Sequence, residues 1–285
     1  MSLIVFSHAN SFVAGTYRVL FERLRAWGHE VVALEAFGHD PRHPVTSNWP
    51  HLVQQLADFA APHIAAHGAP AWLVGHSLGG FLSLMTAARH PELGGHGVRG
   101  VLLIDSPVLG GWRARTLELI KRTQLVGSLS PGRVSRKRRN TWPDAHAALA
   151  HFQHKRAFAR WDPQVLADYI AHGTRDETAP DGTTRRVLSF DRDVETRIYN
   201  TLPHNLDRLL RRHPLRCPVA FLGGTRSQEM QQVGMAMTHR LVGRDHPERL
   251  RMIEGSHLFP MERPFETAEA IDALLRAMAP TPPSP

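Results

Sequence analysis

Six short, mostly apolar runs punctuate the chain: Leu3 to Phe6, Glu30 to Leu34, Ala71 to Val74, Gly100 to Asp105, Pro218 to Gly223 and Arg249 to Ile253. They are too short for helices and lack the polar alternation of half-exposed strands, so they predict strands buried on both faces. Segments with helical apolar spacing lie between them. Tyr17 to Trp27 stops at Gly28, a residue suited to the position past a helix end. Trp49 to His67 has Ser47 or Asn48 as its cap and Pro50 in its first turn, and Phe81 to His90 and Pro264 to Met278 complete the set. The alternation predicts an α/β fold: a mostly parallel six-stranded sheet flanked by helices, with the functional site beyond the C-terminal ends of the strands.

The pattern breaks between Pro107 and Cys217. Arg, His and aromatic residues take over, and Trp112 to Leu125, Asp144 to Arg160 and Pro163 to His172 carry amphipathic helical spacing. Asp162 and Pro163 form a cap and first-position pair, and Arg175 to Arg185 reads as a loop or hairpin turn around Asp181-Gly182. The expected organisation is a core of residues 1–107 and 215–279, a mostly helical insertion at 108–214, and a proline-rich disordered tail at 280–285.

Composition narrows the setting. The chain has 285 residues, 42% hydrophobic and 21% charged, as in a soluble globular protein with an ample core. Its one cysteine, Cys217, excludes an intramolecular disulfide and fits a reducing cytoplasm. No basic leader precedes the first strand, and no run nears the ~20 apolar residues of a membrane span. The net charge of +8 raises nucleic acid as a partner. Much of the excess sits in Arg133 to Arg139, which is expected to be a solvated loop rather than a nucleic-acid site. His39, Asp40 and His43 cluster in one loop, but Pro41 and the poor fit to metal-ligand spacing leave no metal or cofactor expected.

The chemistry concentrates where the third strand ends. Gly75-His76-Ser77-Leu78-Gly79-Gly80 is a Gly-x-Ser-x-Gly turn between a strand and a helix. The glycines leave room for a sharp turn that lifts Ser77 off the sheet at a helix N-terminus, where unpaired N–H groups favour a developing negative charge. Leu78 N–H is the expected oxyanion donor. A serine nucleophile needs an imidazole. Among nineteen histidines, His257 in Gly255-Ser256-His257-Leu258-Phe259-Pro260 follows the last strand at the same sheet end and is the expected general base.

The elbow, the loop after the first strand and the stretch from Gly255 to Pro264 together resemble the α/β-hydrolase family. The resemblance covers Ser2 to Pro107 and Leu215 to Met278, with the intervening segment in the place of that family's cap. It implies an acid shortly after the strand at 218–223, yet a serine, Ser227, stands in that slot and Glu229 is a poor substitute. Asp105 resembles the acid position of some haloalkane dehalogenases and is expected to orient His257. The family's His-Gly-x loop corresponds to His8-Ala9-Asn10, which implies Asn10 N–H as the second oxyanion donor, with its side-chain amide free to face substrate. A serine rather than an aspartate nucleophile argues for acyl transfer over dehalogenation.

These residues imply a serine hydrolase, esterase-like, acting on a small or medium carboxylic ester-like substrate. An acyltransferase, a C–C bond hydrolase or a cofactor-free haloperoxidase would use the same groups, and a non-catalytic binding protein on the same scaffold would break the Ser-His-Asp line. Trp142, Phe152, Phe158 and Trp161 are candidates for an apolar pocket wall, with ordinary packing the alternative, and His204 and Arg113 for contacts to a polar substrate end.

Overall fold

The computed structural model describes residues 2–108, 110 and 138–279. The chain enters through strand β1 (Leu3–Ser7), helix α1 (Arg18–Ala26), β2 (Glu30–Ala33), α2 (Pro50–His67), β3 (Ala71–His76), α3 (Leu78–Arg89) and β4 (Val98–Ile104). An insertion follows: β5 (Thr141–Trp142), α4 (Ala145–Gln153), α5 (Pro163–Gly173), β6 (Thr174–Thr178), β7 (Thr184–Leu188), α6 (Arg192–Asn200) and α7 (Leu206–Arg212). The chain then returns through β8 (Val219–Gly224), α8 (Gln228–Val233), α9 (Ala236–Val242), β9 (Leu250–Ile253), α10 (Phe259–Glu262) and α11 (Pro264–Met278).

The six expected strands form one sheet in the order β2-β1-β3-β4-β8-β9, every pair parallel. Alternate residues serve opposite faces. Ile4, Phe6, Val74, Leu102 and Leu222 bury against α1 and α11, whereas Leu3, Val5, Leu73, Leu103 and Phe221 bury against α2 and α3. Two-sided burial is why these strands carry unbroken apolar runs. The register sets Ser7 beside Gly75, His76 beside Ile104, Ile104 beside Leu222 and Gly224 beside Ile253. The C-terminal ends of β1, β3, β4, β8 and β9 therefore open onto one rim.

Two local expectations change. Helix α2 begins after Trp49 in left-handed backbone (φ 55°) with no side-chain cap, so neither Ser47 nor Asn48 caps it. Asn48 is used elsewhere: its side-chain oxygen accepts His204 N–H at 2.9 Å and its own N–H donates to Thr201 O, fastening the insertion to the core. The helix expected over Asp144 to Arg160 stops at Gln153, and tight turns then carry Phe158 and Trp161 onto Phe152 and Tyr169.

The insertion also holds a three-stranded antiparallel sheet, β5-β7-β6, beside its helices. The 175–185 segment is the hairpin of β6 and β7, closed at Ala179–Gly182. Its strands carry charge on both faces, Arg185 pairing with Glu177 on one and Arg186 with Asp176 on the other, so no apolar alternation announces them. The helix expected over Trp112 to Leu125, Arg113, and the run from Arg133 to Lys137 lie outside the described residues. Arg138 pairs with Glu195, and Arg139 donates to Thr141 O.

Candidate active site

The turn after β3 is held by crowding. A Cβ on Gly75 would stand 2.2 Å from the Gly79 backbone, one on Gly79 would stand 2.0 Å from Ser7 O, and one on Gly80 would meet the Ser106 hydroxyl. Only glycine lets strand and helix approach this closely. Ser77, between them, has φ 53° and ψ −112°, a backbone that L-residues rarely adopt and that costs of order 1–3 kcal/mol. Its N–H is anchored on Ile104 O. Leu78 is the first residue of α3, so its N–H has no acceptor within the helix.

Three loops bring three side chains together. His257 Nε2 lies 3.0 Å from Ser77 Oγ, and His257 Nδ1 lies 2.6 Å from Asp105 Oδ2. Asp105, fully buried, follows β4 with φ 43°. Its carboxylate also accepts Gly224 N–H at 2.7 Å and the Ser227 hydroxyl at 2.5 Å. Three donors offset the desolvation that an isolated buried charge would suffer. Glu229 stands farther off, 4.0 Å from His257 Nδ1 and half exposed. A carboxylate facing Nδ1 requires the proton there and leaves the Nε2 lone pair toward Ser77. Burial pulls the His257 pKa down, but the Asp105 hydrogen bond and the charges of Asp105 and Glu229 outweigh it and hold the imidazole above its ordinary range.

The loop bearing His257 is pinned from behind. Glu262 accepts the Ser256 hydroxyl at 2.5 Å and Ser256 N–H at 3.1 Å, and the Ser256 hydroxyl accepts Leu258 N–H.

The loop after β1 is held as firmly. His8 Nδ1 donates to Ala9 O at 2.8 Å while its Nε2 accepts Phe37 N–H, and burial lowers the His8 pKa to about 4, so the ring is neutral. Phe12 N–H also donates to Ala9 O. The peptide unit is planar and trans, so fixing the Ala9 carbonyl directs the N–H of Asn10 the opposite way. The Asn10 side chain departs from expectation: its amide donates to Glu195 O of α6 at 3.2 Å and is committed to the insertion rather than to a ligand. Beside it, the Ser11 hydroxyl donates to the Glu195 carboxylate, which Arg138 pairs at 2.6 Å.

Trp142, Phe152, Phe158 and Trp161 form one packed aromatic cluster, joined by Tyr169 and by Phe12 from the β1 loop. His39 bridges Phe37 O to Asp191 N–H, and His43 turns to Asp58. Among the described residues no group of three or more His, Cys, Asp or Glu could hold a metal ion, and no helix is long and apolar enough to cross a membrane.

Three contributors escaped the sequence reading: Ser227 and Gly224 as donors to Asp105, and Glu262 as the brace of the His257 loop. Ser227 carried a signal, since it occupied the slot where the resemblance implied an acid.

The arrangement can move a proton from the Ser77 hydroxyl to an imidazole whose charged form a buried carboxylate stabilises. Residues 4–270 match the family model described as "Alpha/beta hydrolase family". No curated protein matches the sequence significantly. Solved structures with similar folds include E-2-(acetamidomethylene)succinate hydrolase, 22% identical, covering 96% of this chain and 91% of that one with a TM-score of 0.65. Others are a thioesterase domain from the curacin biosynthetic pathway (18%, 96% and 91%, 0.63) and a thermophilic esterase from Thermogutta terrifontis (18%, 98% and 91%, 0.58).

Proposed function

The chain belongs to the alpha/beta hydrolase family, and from that premise we propose that it is a serine hydrolase cleaving a small or medium carboxylic ester-like substrate through an acyl-enzyme. The observation that carries this reading is the hydrogen-bonded line from Ser77 Oγ through His257 to Asp105. In the first half-reaction Ser77 Oγ attacks the carbonyl carbon and its proton passes to His257 Nε2. The N–H groups of Asn10 and Leu78 hold the oxyanion, and His257 gives the proton to the departing alcohol. Water then attacks the acyl group, losing a proton to His257, which returns it to Ser77 as the acid leaves. The insertion acts as a cap over the rim, and no cofactor or metal is called for.

A cytoplasmic setting goes with this proposal. Cys217 is the single cysteine, and burial pushes its thiol up to about 11, making it a poor nucleophile at neutral pH.

The names of the similar structures put esters and thioesters into the test. Activated esters and thioesters of graded acyl length should be hydrolysed with a clear optimum, and a fluorophosphonate probe should label the chain at Ser77, located by peptide mass spectrometry. Absence of turnover across the series together with absence of labelling would overturn the reading.

The pH profile supplies a second expected outcome. Only neutral His257 accepts the Ser77 proton, so kcat/KM should rise with pH along a limb above the ordinary imidazole value. Glu229→Gln removes a negative charge that favours the imidazolium. The limb should move to lower pH, raising activity on its acid side; a profile unmoved or displaced upward would show that Glu229 does not act on His257.

A further inference from the structure

His76, the x residue before Ser77, is fully buried at the end of β3. Its Nε2 lies 2.9 Å from the His257 carbonyl oxygen and its Nδ1 2.8 Å from Tyr17 Oη, which in turn lies 3.1 Å from Ala9 N. The sense of every bond is determined. A carbonyl oxygen only accepts, so His76 Nε2 carries the proton. Burial, with the charge of His257 adding to it, keeps the ring neutral. Nδ1 is therefore a lone pair, Tyr17 donates its hydroxyl proton to it, and the Tyr17 oxygen accepts the N–H of Ala9. The chain runs one way: Ala9 N–H to Tyr17, Tyr17 O–H to His76, His76 N–H to the His257 carbonyl. Such a run polarises in one direction, each bond strengthening the next.

From this we infer that Tyr17 and His76 are positioning residues that couple the loop presenting Asn10 N–H to the loop presenting His257, through a bridge built on the strand end that carries Ser77. The inference rests on the serine-hydrolase reading above. With Ala9 N–H held by Tyr17 and Ala9 O by His8 and Phe12, residue 9 is fixed at both polar atoms. At the other end the bridge fixes the carbonyl of the residue whose ring makes the 3.0 and 2.6 Å bonds to Ser77 and Asp105. The polar atoms of Tyr17 and His76 are all used within the bridge, so the pair acts through its neighbours. A small displacement of either loop separates donors from the oxyanion or base from nucleophile, and such errors fall on kcat more than on KM.

The test compares Tyr17→Phe, His76→Phe and the double variant with wild type on the best ester of the graded series, recording kcat, KM and Tm. Tyr169→Phe is the control, because it also deletes a buried phenol hydroxyl from the same core, but one with no hydrogen-bond partner among the described residues. The expected result is a fall in kcat of about 10- to 100-fold in Tyr17→Phe with KM within about threefold, and no change in Tyr169→Phe. The double variant should fall no further than about threefold below the worse single variant, since either substitution interrupts the same chain. Tyr17→Phe keeps the ring and its packing, so it decides the matter even if His76→Phe does not fold. A Tyr17→Phe kcat within about twofold of wild type, an equal loss in Tyr169→Phe, or losses that multiply in the double variant would overturn the inference. Wild type that is labelled by fluorophosphonate while Tyr17→Phe turns over normally would overturn this inference alone. Wild type neither labelled nor active would overturn the acyl-enzyme reading and this inference with it.

Discussion

Ser77→Ala is expected to lower kcat on an activated ester by about 10⁶-fold. The loss is large because His257 and Asp105 act through the hydroxyl. His257 Nε2, 3.0 Å away, has no proton to accept once Oγ is removed. The residual rate would come from the oxyanion donors and from binding, typically ~10³ to 10⁴ over water. Alanine fits without strain beyond that already present at φ 53°, so the melting temperature should stay level or rise as a partly buried hydroxyl disappears. Single-turnover kinetics with a chromogenic ester and a parallel melting curve check both parts. A variant that kept even a hundredth of wild-type turnover would remove Ser77 from the chemistry.

Asp105→Asn is expected to cost about 10⁴ in kcat with little change in shape. The aspartate accepts three hydrogen bonds, from Gly224 N–H, the Ser227 hydroxyl and His257 Nδ1–H. An asparagine oxygen can keep the first of these. Its amide nitrogen, set toward Nδ1, would donate where the carboxylate accepted, which drives the imidazole proton to Nε2. That tautomer points a proton at Ser77 Oγ and can no longer take one. Glu229, at 4.0 Å and half exposed, is too far and too solvated to restore the ordinary tautomer. Steady-state kcat on the same ester, with thermal unfolding to verify the fold, is the measurement. Retention of more than a tenth of wild-type turnover would mean that another group orients His257.

Much of this was legible in the residues. The central strands announced themselves because a parallel sheet covered on both faces demands unbroken apolar runs, as Leu3 to Phe6, Ala71 to Val74 and Val101 to Ile104 show, whereas the edge strands β2 and β9 are partly exposed. The Gly-x-Ser-x-Gly turn was readable because its glycines answer a clearance problem: a single Cβ at 79 would stand on Ser7 O. The hairpin of β6 and β7 was not, since Arg–carboxylate pairs on both of its faces take the place of apolar alternation. Tyr17 and His76 were invisible for another reason. A buried hydrogen-bonded histidine leaves no trace in spacing, and among nineteen histidines only the fold distinguishes the one beneath the nucleophile. The same limit applied to Asn10, whose side-chain amide was expected to face a ligand and turns instead to Glu195, because the insertion, not the sheet, supplies its acceptor.

The neighbouring ends of β4 and β8 are clasped at the acid itself. The carboxylate at 105 and the hydroxyl at 227 touch each other, although they hang from different strands, and the carboxylate also reaches the imidazole. The group that sets the tautomer is thus also a weld between two strands, and the sheet cannot splay at this edge without disarming the base.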